Sequence, residues 1–221
     1  MIKVTRQTDP ELAALVDEEL NRQEHNIEMI ASESTAPLAV MELSGSVFTN
    51  KTLEGYPGKR FQAGSEVADK TWSFKYAASQ EFHDIMAQVI VNAKCLAEEL
   101  QKYGFRIVSG GTDNHLLVVD LRSKGLTGKT MQNALDAVGI TVNKNMIPFD
   151  PEKPGVTSGI RIGLTAVSQR GLKEPEIREI AAIINQVAEA PEDEANLKAC
   201  KAKAEALIAK FPLYPAGSFD D

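Results

Sequence analysis

Two short stretches hold residues whose types and surroundings suit chemistry. In "LEGYPGKRFQAG" (53–64), Glu54 stands beside Gly55, Pro57 and Gly58. Those neighbours permit tight turns and close approach of the backbone to a ligand. A carboxylate held in such a loop is a candidate general acid or base; the alternative is a solvated loop glutamate. In "GIRIG" (159–163), Arg161 lies between Ile160 and Ile162. Period-two alternation puts the isoleucines on one face of a strand and the guanidinium on the other. There it can clamp a carboxylate through two parallel hydrogen bonds; the alternative is an ion pair across a sheet face.

Other motifs carry less. "GGTDNH" (110–115) is a glycine-led turn with Asp113, Asn114 and His115, read as side-chain turn chemistry or as a ligand loop. "GLTGKT" (125–130) lacks the G-x-x-x-x-G-K spacing of a phosphate loop and reads as a helix cap. His25, His83 and His115 are scattered at spacings that suit no metal. Cys95 and Cys200 lie far apart in helix-like stretches and read as buried free thiols.

The elements that must position these residues follow from periodicity. Asp9-Pro10-Glu11 reads as N-cap, first helical residue and acidic first turn, with Leu12, Leu15, Val16 and Leu20 at helical spacing. "IEMIA" (27–31) predicts a brief strand, and "PLAVMELSGSVFTN" (37–50) a helix opening at Pro37. A long helix is expected from about Trp72 to Tyr103, stopped by Gly104. "FRIVSG" (105–110) and "HLLVVDL" (115–121) predict strands. Thr127 opens a helix ending near Gly139, and "ITVNKN" (140–145) is one extended piece before the strand 159–163. Two helices close the chain, the first with Pro175 near its start, the second with Pro191 as its first residue. The expected fold is an α/β, α+β layer: a small mixed or antiparallel sheet with helices on one face. Residues 1–70 form a helical arm and 71–221 a small C-terminal α/β domain. The arm's Leu15, Ile27, Met29, Leu38 and Val47 are expected to need a cover from outside, through self-association.

Bulk properties agree with a globular protein. The 221 residues are 43% hydrophobic and 25% charged, with a net charge of −7. An acidic chain without a long basic run is a poor partner for nucleic acid or an anionic membrane. No apolar run approaches the roughly 20 residues that cross a bilayer, and the N-terminus has no apolar leader. The reading is a cytoplasmic protein.

"RQEHNIEMIASES", "TNKTLEGYPGKR", "GGTDNHLLVVDL", "GITVNKN", "TSGIRIG" and "FPLYP" occur in this order along the chain. Together they resemble serine hydroxymethyltransferase. That family has the fold of aspartate aminotransferase, forms dimers or dimers of dimers, and uses pyridoxal phosphate to interconvert serine and glycine with tetrahydrofolate. The resemblance implies that Arg161 holds the substrate carboxylate. It implies that Glu54 moves a proton at the serine hydroxyl and folate, that Ser32 contacts substrate or cofactor, and that Asn145 lines the folate pocket.

The departures are as specific. Where the family's arm has tyrosines, this chain has Thr52, Phe61 and Gln62, and Ser34 stands where Asn is usual. "GSEVADK" (64–70) matches the family before its large cofactor domain, and "TWSFKYAASQEFHD" (71–84) matches it after, with the join at Lys70-Thr71. The phosphate loop, the aspartate at the pyridine nitrogen and the Schiff-base lysine belong to that domain, so the chain is expected not to bind the cofactor or catalyse alone. Three functions follow: a non-catalytic relative that forms homo-oligomers or pairs with a full-length relative, a subunit that completes a shared site, or an amino-acid or folate binding module.

Overall fold

The computed structural model describes residues 2–50, 52, 54–56, 58–61, 63–64, 76–215 and 218. The arm opens with α1 (Lys3–Thr8) and α2 (Pro10–His25), the latter started by Asp9, whose side chain accepts from the Leu12 amide. Strand β1 (Ile27–Glu28), helix α3 (Leu38–Ser44), a 3₁₀ turn (Val47–Asn50) and the hairpin β2 (Gly55–Tyr56) to β3 (Lys59–Arg60) follow. Pro37 caps α3 from outside, so it precedes the helix by one residue. The long helix α4 (Gln80–Lys102) is opened by Ser79, whose hydroxyl accepts from the Phe82 amide. That cap places the start later than periodicity suggested; Trp72 and the join at Lys70-Thr71 lie outside the described residues.

The C-terminal part is a four-stranded antiparallel sheet in the order β4 (Arg106–Ile107), β5 (Leu116–Asp120), β8 (Gly159–Gly163), β7 (Asn143–Asn145). Helix α5 (Gly128–Ala137) begins at Thr127, whose hydroxyl accepts from Thr130 N, as a cap should. The stretch 140–145 divides: β6 (Ile140–Thr141) pairs in parallel with β1, while β7 joins the main sheet. A short helix α6 (Thr165–Gln169) then leads to α7 (Glu174–Glu189) and α8 (Glu194–Ile208). Pro191 falls before α8, because Asp193 caps it by accepting from the Ala195 and Asn196 amides.

Leu117, Val119, Ile160 and Ile162 point to one side of the sheet and are buried with Val89, Leu96 and Leu100 of α4 and Ile177, Ile180 and Ile184 of α7. A polar group deep in this layer is satisfied: the Asn92 amide donates to Ser168 Oγ (2.8 Å) and Leu172 O (2.9 Å) and accepts from Gln88 (3.0 Å). Both cysteines are free and buried, as expected. Among the described residues no helix is long and apolar enough to cross a membrane.

The arm does not behave as one unit. Ile27 and Met29 are fully buried and Ala31 is buried beside them. Ile27 N donates to Gly139 O (2.8 Å), Met29 N to Thr141 O (2.9 Å), and Gly163 N to Met29 O (2.8 Å). Contrary to the expectation of an external cover, this segment is covered by its own chain. Leu15 and Val47 stay exposed, at 60% and 80%.

Arg170 locks the segment. Its guanidinium donates to Phe211 O (2.6 Å), Gln23 O (3.1 Å), Asn26 O (3.1 Å) and Glu24 O (2.5 Å). These are the spare carbonyls at the end of α2 plus one from the C-terminal tail, and a cation there also meets the negative end of the helix dipole. Burial lowers the Arg170 pKa to about 10.

Candidate functional site

Strand β8 decides the site. Gly159, Arg161 and Gly163 share one face, opposite the buried isoleucines. The two glycines are needed there for space. A β-carbon on Gly163 would sit 2.4 Å from Ala31 Cα, and one on Gly159 would sit 2.8 Å from Ile147 Cγ2. Ala31 therefore covers one end of the strand face and Ile147 the other, and Arg161 stands between them. Around it Leu116, Val118, Asn143 and Asn145 are all half-buried, whereas their alternates Leu117 and Val119 are in the core. This face of the sheet is partly exposed.

Arg161 is directly opposite Val118 on β5 and Asn143 on β7. Its Nε donates to Asn143 Oδ1 at 3.3 Å. Among the described residues its two terminal nitrogens have no hydrogen-bond or ion-pair partner. Among the described residues, the ion pair that would have explained an arginine on a sheet face is not made. A half-buried, planar cation with two parallel donors uncommitted suits a carboxylate.

The neighbouring charge is neutralised. Asp120, opposite Gly159 on the same face, accepts from Arg122 Nη2 (2.8 Å) and Arg106 Nη1 (2.5 Å). The Arg122 hydrogen bond is the main reason its pKa is lowered to about 2, with burial opposing. Asp150 organises the loop before β8. Burial works against its charge, but bonds from the Ser158 hydroxyl and amide and from the Glu152 and Ile147 amides outweigh it and hold the carboxyl well below the usual range.

The other expected site residues fall as follows. Asn145 lies on the Arg161 face, two positions from Asn143, with its amide donating to Met146 O (2.7 Å). Ser32 is exposed and follows Ala31, whose carbonyl meets His115 Nε2 at 3.2 Å. Ser32 also lines a cleft of about 410 Å³ shared with Glu28, Glu33, Arg170 and Tyr214. In that cleft Glu28 is half-buried, and burial raises its pKa. Glu54 is exposed ahead of the β2–β3 hairpin, and its carbonyl accepts from Phe61 N (3.1 Å). It makes no hydrogen bond or ion pair with Arg161. Arg161 and Asn145 thus share one sheet face, with Ala31 against its Gly163 end, while Glu54 precedes the hairpin.

The turn 110–115 holds itself together: Asn114 Oδ1 accepts from Leu116 N (3.0 Å) and Thr112 Oγ1 donates to Leu116 O (2.6 Å). Among the described residues no three His, Cys, Asp or Glu side chains converge as metal ligands.

Comparison with known proteins bears on what this face is for. The serine hydroxymethyltransferase family model matches residues 5–73 and, separately, residues 67–184. The chain belongs to the serine hydroxymethyltransferase family. Serine hydroxymethyltransferase of Myxococcus xanthus is 51% identical over 148 residues, 67% of this chain and 35% of that protein. The Nitrosomonas europaea enzyme is 53% identical over 148 residues, 67% of this chain and 36% of that protein. The matched stretch spans about a third of the length of these relatives.

Sequence reading missed Asn143, although it lies in the quoted "ITVNKN". Its signal was the strand period: 143 and 145 must share a face, and that face is the one Arg161 uses. It also missed Arg170, whose carbonyl partners come from two remote stretches.

Proposed function

We propose that this chain is a serine hydroxymethyltransferase-related protein that carries the carboxylate-gripping part of an amino-acid site and does not catalyse serine–glycine interconversion by itself. The observation that supports the reading is Arg161, half-buried on a partly exposed sheet face, with both terminal nitrogens uncommitted among the described residues. The ligand class it suits is a small α-amino acid, bound by its carboxylate, with Ser32 and Asn145 at the margins.

Pyridoxal phosphate would supply an electron sink when held as an imine beside a carboxylate that keeps its ring nitrogen protonated. The described residues of this face do not fit that group. Lys144, the lysine closest to Arg161 in the sheet, alternates to the other side, its β-carbon 3.2 Å from where a side chain on Gly128 would begin. Asp120 is already committed to two guanidiniums. The two family matches that meet near residue 70 support an arm joined directly to a small domain, with the cofactor domain between them missing.

Adding pyridoxal phosphate to the purified protein tests the reading. The expected result is no imine absorbance above 400 nm and no adduct after borohydride reduction; a single reduced lysine together with serine turnover would overturn it.

A second reading has its own support. Glu54 stands just before the β2–β3 hairpin, and Val4, Leu15, Val47 and Phe61 are exposed around the arm. That arrangement suits an arm lent to a second copy or to a full-length relative, with Glu54 entering the partner's site. Serine cleavage that rises when this chain is mixed with a full-length relative, and falls back with Glu54→Gln, would favour it.

A further inference from the structure

We propose that Asn143 is a positioning residue that sets how Arg161 presents itself to a carboxylate; the inference rests on the reading of Arg161 given above. A guanidinium can grip a carboxylate side-on, through Nε and one Nη, or end-on, through Nη1 and Nη2. Here the side-on edge is taken. Asn143 Oδ1 accepts from Arg161 Nε at 3.3 Å, and register places the two residues directly opposite on β7 and β8. The amide is oriented by its own second bond, since Asn143 Nδ2 donates to Lys144 O at 3.0 Å. Reversing the amide would set an N–H against the Nε–H and lose both bonds, so the acceptor must face arginine.

The strand geometry limits the remaining freedom. Ala31 lies over Gly163 and Ile147 over Gly159, so the Arg161 side chain is walled along the strand, and Asn143 steers it from β7 across the sheet. Val118, opposite Arg161 on β5, offers no side-chain acceptor there. The ligand therefore meets the end-on pair of donors, and its carboxylate plane aligns with a guanidinium plane fixed by Asn143. The effect expected from one hydrogen bond near the long limit is modest, about fivefold in affinity.

The test uses the ¹⁵N-labelled full chain and acetate as the probe, with glycine as a second probe. The Arg161 Nε–H resonance is identified by its loss in Arg161→Lys. Without ligand, Asn143→Ala is expected to speed exchange of that proton with water several-fold. Asn143→Asp, which keeps the acceptor, is expected to restore slow exchange and, by adding a negative charge, to weaken acetate binding. In the native protein acetate is expected to move the terminal Nη signals and leave Nε nearly in place, and Asn143→Ala should bind it about fivefold more weakly. Unchanged exchange in Asn143→Ala, or a larger acetate shift at Nε than at Nη, would overturn the proposal. An absent acetate and glycine response in the native protein, with the exchange effect intact, would instead remove the carboxylate reading of Arg161 and leave its tether to Asn143 standing. Should Asn143→Ala fail to fold, the Asp variant alone decides: acetate affinity equal to native overturns the proposal.

Discussion

Met29 and Val47 are both apolar, both belong to the arm, and meet opposite fates. Met29 is fully buried, while Val47 is 80% exposed. Hydrophobicity does not separate them; a receptor does. Residues 27–31 find the Thr141 backbone, the bare Gly163 and the Arg170 lock, which together satisfy their polar groups and leave the apolar ones covered. From 32 to 88 no described residue is buried. An arm segment is part of the fold only where the backbone has partners as well as the side chain, because an unpaired buried amide costs about as much as a buried methionine gains.

The sharpest way to break this comparison is to truncate both residues. Met29→Ala is expected to lower stability by about 2–5 kcal/mol, and Val47→Ala to change it by less than about 0.5 kcal/mol. Urea denaturation measures both, and similar values for the two would show that the docked segment is held no better than the exposed one.

Arg170→Met comes next. It removes four charge-assisted bonds while keeping part of the packing, with an expected loss of about 2–4 kcal/mol. Amide exchange adds the location: the Ile27 and Met29 amides should lose protection while those of β5 and β8 keep theirs. Uniform loss across the sheet would mean that Arg170 supports the whole core and not the arm in particular.

Two glycines give a smaller contrast. Gly163→Ala forces a β-carbon against Ala31 backbone and should cost about 1–3 kcal/mol. Gly155→Ala meets nothing within 4 Å and should be neutral or slightly stabilising. Thermal midpoints check the pair; a tolerated Gly163→Ala would show that Ala31 lies more loosely on β8 than its burial suggests.

The smallest effect concerns acid. The folded-state pKa of Asp120 is depressed to about 2 from an ordinary 3.8, so its contribution is complete above about pH 4 and is lost as pH falls toward 2. Screening of the exposed guanidiniums limits it to about 1–2 kcal/mol. Glu28, raised by burial, works the other way, since its protonation on acidification relieves a buried charge. Asp120→Asn should flatten the stability curve below pH 4. The exposed Arg6–Asp17 pair is the comparison, and Asp17→Asn should leave the curve nearly unchanged. Equal slopes in the two variants would remove Asp120 from the account.

Much of this was legible beforehand, for reasons that differ by element. Helix α4 and helix α7 carry apolar residues every three or four positions, and strand β8 alternates over its whole length, so local period identified them. The caps at Ser79 and Asp193 shifted two helix starts, because a side chain accepting from a helix amide outranks proline or periodicity in deciding where a helix begins. The division of residues 140–145 between two sheets was not legible. Its apolar and polar alternation reads the same whichever strand lies beside it.

By itself the chain determined its secondary structure in the C-terminal part, the face on which Arg161 stands, and its membership of the serine hydroxymethyltransferase family, because each depends on local period or on long, ordered motifs. Only the tertiary structure decided that residues 27–31 belong to the core, that Arg170 ties the end of α2 to the C-terminal tail, and that Arg161 has Asn143 at Nε and, among the described residues, no bond at its far end. Those facts rest on contacts between residues remote in sequence, and no local pattern records which distant carbonyl, glycine or amide will be the partner.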